Sequence, residues 1–371
     1  MPETLPLKPE CSSTTRPIDT PMAEISHDVP PVSQGIGRPF VRLPDLFSSI
    51  MSSKLVVNPN YFKVKPEGER WIARVMNMDE RTQVKNREAD LCYISAIWAP
   101  DADEDALRFI LDWNHWVFLF DDQFDEGHLK DDLIAAKEEL DQTMAIMEDG
   151  AQLISPEDSK LRHIFQTLWL RYKQSASIEY QQRFKKTHKM FFGRLLAQVQ
   201  LMTRGEVLSR DVETYMELRR GTIGAYVAIV LSAWAQGCEI PENVFSHNST
   251  KECMRISTDL TILVNDLLSY RRDQELGVEH NLITLLMAKG MSIQQAVDEI
   301  GVMVDNRYKQ WYTNLAELPP YGEKVDRQVL MFIETCRQSA FGNLHWSFKT
   351  GRYLGPEGQD VHDTQIMYLS R

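Results

Sequence analysis

Trp116-Val117-Phe118-Leu119-Phe120-Asp121-Asp122-Gln123-Phe124-Asp125-Glu126 places four carboxylates in six residues, directly behind an unbroken apolar run. On a helix, Leu107, Leu111, Asn114 and Phe118 share one face, and Asp121, Asp122 and Asp125 continue it. The acids therefore extend a core-facing stripe. An acidic helix C-terminus is ordinarily solvated, and its charge opposes the helix dipole. At a core-facing site such carboxylates repel one another unless a cation neutralises them. Hard oxygen ligands favour Mg2+, which keeps several waters and takes one or two carboxylates plus substrate phosphates.

The rest of the chain is consistent with a helical protein around such a site. Its 371 residues, 43% of them hydrophobic, allow one large domain or two smaller ones. Eight Trp, fifteen Phe and twelve Tyr are enough to line a large apolar cavity as well as fill a core. The formal charge of −12 argues against nucleic acid or an anionic membrane as the main partner. Bound metal ions invert the local sign, so an anionic substrate stays open. Five scattered Cys, with no zinc-like spacing, predict reduced thiols in a cytoplasmic protein. The first residues carry no apolar signal core, and no apolar stretch is long enough to span a bilayer, so no stable membrane insertion is expected.

Residues 1–40 hold eight of the seventeen Pro, with many Ser and Thr, and predict a disordered tail. From there the pattern is helical. The periodicity predicts helices over about 67–98 (broken near Asp79), 103–125, 128–148, 157–174, 176–204, 209–236 with a break, 250–273, 292–316 and 324–349. No linker divides residues 41–371, which predicts a single all-α bundle around a central cavity.

A second constellation lies in Asn265-Asp266-Leu267-Leu268-Ser269-Tyr270-Arg271-Arg272-Asp273. Asn265, Ser269 and Asp273 are spaced i, i+4, i+8 and stack along one face. Leu260, Leu263, Val264, Leu267 and Leu268 occupy the other. A solvated face would favour Glu, Lys and Gln, which are better helix formers. Short oxygen-bearing side chains in register can chelate a metal together. Two facing metal sites could hold a diphosphate between them.

With these residues in view, the chain resembles the fungal class I terpene cyclases, in particular the sesquiterpene cyclases. Asp121, Asp122 and Asp125 fit their aspartate-rich motif. Asn265, Ser269 and Asp273, with Arg272, fit their second metal motif, although many relatives carry Glu at the last position. Arg219, 46 residues before Asn265 in a segment running Arg219-Arg220-Gly221-Thr222-Ile223-Gly224, looks like their diphosphate sensor. Arg352-Tyr353 fits their C-terminal pair. The segments RPFVRLPDLFSSIM (38–51), DWNHWVFLFDDQFDEGHLK (112–130), LRRGTIGAYVAI (218–229) and WSFKTGRYLGPEG (346–358) are similar to those of members that make presilphiperfolanol.

The resemblance implies farnesyl diphosphate as substrate, Mg2+ (three ions with bound diphosphate) as cofactor, a polycyclic alcohol as product, and a monomer or homodimer. Arg219, Arg272, Arg352 and Tyr353 would hold the diphosphate. Tyr93, Trp98, Trp116, Phe118, Tyr226 and Trp346 are the expected aromatic wall, each of them equally suited to ordinary core packing. Gly224 would allow a helix break with a free carbonyl near the developing cation. His115 and His128 flank the acidic motif and are read as structural. Two other classes fit an all-α bundle: a chain-elongating prenyl transferase, which normally carries a second Asp-rich motif where this chain has Asn265, Ser269 and Asp273, and a non-catalytic helical scaffold.

Overall fold

The computed structural model describes residues 38–207 and 210–370. The expected tail lies outside them, except for its last residues. Those are tied down: Arg38 donates from Nε to the Leu369 carbonyl at 3.0 Å. Phe40 then opens β1 (Phe40–Arg42), which pairs antiparallel with β2 (Ile366–Tyr368). This small ribbon, absent from the sequence reading, is the described strand structure. Three-residue strands are too short to leave an alternating pattern.

The rest is helical, as expected. α1 (Tyr61–Met76), α2 (Glu80–Ala89) and α3 (Leu91–Trp98) replace the single segment read from 67. Asp79 breaks it as foreseen, as the N-cap of α2, accepting from the Thr82 N–H. The start is earlier than expected because α1 runs through Pro66. Proline leaves the Phe62 carbonyl without its i+4 donor, on an exposed part of the helix. α4 (Glu104–Asp125) is capped by Asp103, which accepts from the Ala106 N–H. α5 (Leu133–Ala145), α6 (Lys160–Ser175) and α7 (Ile178–Thr203) come next along the chain.

α8 (Val212–Thr222) and α9 (Ala225–Ala235) are divided by Gly224, whose φ of 74° lies in the left-handed region. After α10 (Glu242–Phe245) comes α11 (Asn248–Leu276), then α12 (Leu282–Ala288), α13 (Ile293–Ala316), α14 (Glu323–Lys349) and α15 (Gly358–Thr364). α10, α12 and α15 were not expected; each spans two turns or fewer.

α11 is the central helix. It packs on α13 and α14 and also meets α8, α9 and α12. Its apolar stripe, Leu260, Leu263, Val264, Leu267 and Leu268, is buried. Its polar stripe is not turned to bulk water either, and Ser269 is 4% exposed. α4 lies against α1, α3, α6 and α9. The four cysteines among the described residues, Cys92, Cys238, Cys253 and Cys336, are free and buried, and Cys11 lies outside them. Among the described residues no helix is long and apolar enough to cross a membrane.

Candidate active site

α3, α4, α8, α9, α11 and α14 surround a cavity of roughly 920 Å³, its open mouth included. Asp121 and Asp125 from α4 line it, as do Asn265, Ser269 and Asp273 from α11. Arg219, Arg272, Arg352 and Tyr353 line it as well. The two oxygen-rich stripes and the basic groups thus share one space.

The acids differ in their surroundings. Asp121 has no hydrogen-bond partner among the described residues. Its carboxyl is held well above the ordinary range by burial and by the charges of Asp125 and Asp122. Asp125 is pushed up to about 6 by burial, against the pull of Arg219 and of Gln198. Gln198 donates from Nε2 to Asp125 Oδ1 at 2.6 Å. Asp122 does not line the cavity; Arg352 grips it from Nη2 at 2.5 Å and Nη1 at 3.2 Å.

On α11, Ser269 Oγ donates to Asp273 Oδ2 at 2.6 Å, and Asn281 Nδ2 donates to the same oxygen at 2.9 Å. Asn265 accepts at Oδ1 from Arg219 at 3.0 Å and donates from Nδ2 to the Tyr353 hydroxyl at 2.9 Å. Arg219, Asn265 and Tyr353 are therefore joined by hydrogen bonds, and Asp266 and Asn281 connect them to Asp273. Arg272 pairs with Glu126, just past the end of α4.

A divalent cation fits this donor set. Asp121 is an unpartnered carboxylate in a negative field, and a cation would relieve that repulsion. Among the described residues no three His, Cys, Asp or Glu side chains converge into a ready-made cage. That suits an ion held by a few protein oxygens and completed by water and phosphate oxygens.

Most of the remaining lining is apolar, with Asn114, Thr222, Thr261, His280 and Asn343 also on it. Trp98, Phe118, Gly224 and Trp346 border the cavity, joined by Trp113 and Phe191. Three expected wall residues stand elsewhere. Trp116 is fully buried and stacks on Phe120 and Phe165 in the core. Tyr93 lies under the Lys349 ammonium, 3.7 Å from its ring centroid. Tyr226 does not line the cavity. One helical turn separates cavity from core here, which an aromatic count along the chain does not resolve. The break at Gly224 is present, but Gly224's own carbonyl accepts from the Ala228 N–H at 3.1 Å. The carbonyls without a backbone donor are those of Arg220, Gly221, Thr222 and Ile223, at the end of α8 and in the break.

Several residues were not singled out from the sequence. Asp266 is 1% exposed and accepts from the Tyr215 hydroxyl at 2.6 Å, the Leu282 N–H at 3.0 Å and Arg219 at 3.2 Å. It aims Arg219 into the cavity. A charged residue amid Leu263, Val264, Leu267 and Leu268 was the available signal. Asn281 caps α12 and holds Asp273. An Asn before an apolar run was its signal. Gln198 carries none.

The family described as "Terpene synthase family 2, C-terminal metal binding" matches residues 112–310. The chain is 44% identical over 338 residues to (+)-eremophilene synthase of Gibberella fujikuroi, covering 91% of this chain and 95% of that protein. It is 43% identical over 341 residues to a protein of the same species described as an inactive (1R,4R,5S)-(-)-guaia-6,10(14)-diene synthase, covering 89% and 85%. Among solved structures, α-eudesmol synthase superposes with a TM-score of 0.71 at 23% identity, over 81% of this chain and 98% of that one. That likeness concerns the fold alone.

Proposed function

We propose a specific reaction for this chain, which belongs to the fungal class I sesquiterpene cyclase family: it ionises farnesyl diphosphate and closes the cation into a polycyclic sesquiterpene alcohol of the presilphiperfolanol type. Membership alone does not carry turnover, since a relative 43% identical is described as inactive. The supporting observation is local. One cavity holds two oxygen-rich stripes, three arginines and several aromatic side chains.

In this reading Asp121, Asp122 and Asp125 on α4 and Asn265, Ser269 and Asp273 on α11 hold Mg2+, three ions with bound diphosphate. When bound, the metal neutralises the charge of the departing diphosphate. Arg219, Arg272 and Arg352 add charge-assisted hydrogen bonds to that group, and Tyr353 adds a neutral one. Arg352 must release Asp122 to do so, which couples the C-terminal segment to the loaded site. Trp98, Trp113, Phe118, Phe191 and Trp346 surround the hydrocarbon. Their ring faces stabilise positive charge and offer no nucleophile. The Gly221 and Thr222 carbonyls present negative dipole ends at the α8–α9 break. An alcohol product requires one water to reach the final cation while earlier ones stay protected.

The test is incubation with geranyl, farnesyl and geranylgeranyl diphosphates plus Mg2+ in oxygen-18 water, read by mass spectrometry. The expected result is a labelled tricyclic sesquiterpenol from farnesyl diphosphate. A product set of hydrocarbons only removes the alcohol assignment and leaves a cyclase. No product from any of the three removes the cyclase reading.

A further inference from the structure

We propose that His188 is a positioning residue for the hydrocarbon end of the cavity: it fixes the indole of Trp113 as a wall of that chamber and so selects among cyclisation products. The proposal rests on the cyclase reading above for its product readout. The anchor itself rests only on geometry.

Trp113, Val117, Asp121 and Asp125 are spaced by four on α4 and all line the cavity. Eight residues at 1.5 Å per residue put Trp113 about 12 Å below Asp121 along the helix. It therefore stands at the end remote from the acids and arginines. On one side its Nε1–H donates to His188 Nε2 at 3.1 Å. On the other, its outer edge, Cη2, lies 3.8 Å from where a Cβ on Gly224 would be. The indole thus spans from α7 to the break between α8 and α9. A rotation about its side-chain torsions would lose both relations.

His188 is built to accept this hydrogen bond. It sits on α7 with no exposed surface, and its Nδ1 is 2.9 Å from the Phe184 carbonyl. A carbonyl only accepts, so the ring proton is on Nδ1 and Nε2 is left as the acceptor for the indole. Phe184 lies 3.9 Å from the imidazole centroid and Phe165 5.2 Å. Burial among these rings pushes its pKa down to about 3, so the ring is neutral at any working pH.

A paired indole N–H is not a general feature of this core. Trp116 and Trp169 are buried with their Nε1–H groups unpartnered. Neither lines the cavity, whereas Trp113 does. The other two tryptophans that line the cavity are anchored as well, Trp98 to the Ser339 carbonyl at 2.9 Å and Trp346 to the Ala89 carbonyl at 2.7 Å, so a paired indole goes with a place on the cavity wall, and at Trp113 the acceptor is a side chain. A cation-forming chamber lets small changes in wall position redirect the same intermediate, because competing closures differ by little in barrier.

The experiment compares His188→Phe, His188→Gln, Trp113→Phe and the double variant in the full-length protein. Phe keeps the flat ring and removes the acceptor; Gln restores one. Three quantities are read: product distribution from farnesyl diphosphate, affinity for inorganic diphosphate with Mg2+, and the Trp113 indole N–H resonance in 15N-tryptophan-labelled protein. His188→Phe is expected to shift the indole resonance and to change the major product's share by about twofold or more. Diphosphate affinity should hold, and His188→Gln should return both changes toward wild type. In the Trp113→Phe background, His188→Phe should add nothing. An unchanged distribution in folded His188→Phe overturns the proposal. So does an undiminished effect in the Trp113→Phe background. Should His188→Phe alone not fold, the double variant, which leaves no orphaned donor, is compared with Trp113→Phe, and a further product shift overturns the proposal. Should the wild type yield no product from any prenyl diphosphate, the cyclase reading fails, and an unmoved resonance in His188→Phe or, if that does not fold, in His188→Gln overturns the anchor.

Discussion

Arg352 holds Asp122 through both terminal nitrogens, at 2.5 and 3.2 Å, although one belongs to the C-terminal pair and the other to the acidic motif. Each is thereby committed to the other instead of to diphosphate and metal. Asp121, its neighbour, is committed to nothing. Substitution of the two carboxylates should therefore differ. Asp121→Asn is expected to lower kcat by about a hundredfold or more, because it removes an oxygen from the cavity itself. Asp122→Asn should cost about tenfold or less, because Arg352 is freed as the carboxylate is lost. Equal losses, with unchanged thermal unfolding, would place both in the same role.

Mg2+ and diphosphate should bind together. No acidic cage is preformed among the described residues, and Asn265 and Asp273 are already hydrogen-bonded within the protein. Mg2+ alone should raise the melting temperature little. Mg2+ with inorganic diphosphate should raise it by several degrees, as ligands that bind only the folded state do. Chelation by EDTA should abolish turnover. Full activity in metal-free protein would falsify the metal-dependent reading.

The acidic limb of activity should depend on Asp125. Its carboxyl is raised to about 6, chiefly by burial, with Arg219 and Gln198 holding it down. Metal binding needs the charged form, so affinity for Mg2+ and diphosphate should fall about tenfold per pH unit below that value. Gln198→Leu removes a donor to the charged form, so the limb should move to higher pH. In the metal-free protein the sign reverses. A raised carboxyl binds its proton more readily folded than unfolded, so this group's contribution to stability increases as pH falls through about 6. Calorimetry across pH 5–8 checks both, and an unshifted limb in Gln198→Leu rejects the assignment.

The α8–α9 break should be sensitive to its glycine. At φ 74° a side chain is strained whatever space surrounds it, at about 1–2 kcal/mol. Gly224→Ala should lower stability by that amount and, because Trp113 and the Thr222 carbonyl both adjoin the break, alter the products. Denaturant unfolding reads the first effect and product analysis the second. Wild-type values for both would mean the break is set elsewhere.

Periodicity made part of the site legible in the sequence. Asp121, Asp125, Asn265, Ser269 and Asp273 could be read because helical spacing is rigid, and side chains four apart must share a face. Arg219 and Arg352 came from the resemblance, since two arginines in a chain of this composition carry no geometry of their own. The hydrocarbon wall was only half legible. Trp113 and Trp116 lie three residues apart on one helix, yet one faces the cavity and the other the core. Both meet α7, but Trp116 turns to Phe165 of α6 and Trp113 to the α8–α9 break. Asp266 and Gln198 act through partners 47 and 73 residues away in sequence, a separation that no local pattern encodes. The β1–β2 ribbon joins the two ends of the described fold, and three-residue strands leave no trace to read.

That ribbon also decides where the chain can be shortened. The sequence suggests that residues 1–40 are dispensable, but the cut must spare the contacts that begin at Arg38. Arg38 reaches both the Leu369 carbonyl, at 3.0 Å, and Glu357, which in turn pairs with Arg271. Arg271 donates from Nη2 to the Tyr353 carbonyl at 3.2 Å, directly behind the hydroxyl that meets Asn265. Val41, within β1, is fully buried against the core. Deleting residues 1–37 should leave steady-state rates within about threefold and the melting temperature within a few degrees. Deleting residues 1–42 removes a buried valine, the ribbon and the Arg38 link to Glu357. It should lower the melting temperature by about 5 °C or more and weaken diphosphate binding through a loosened Tyr353. Equal behaviour of the two truncations would show that the ribbon does not brace the C-terminal pair. A large loss on removing residues 1–37 alone would show that this segment contributes to the site.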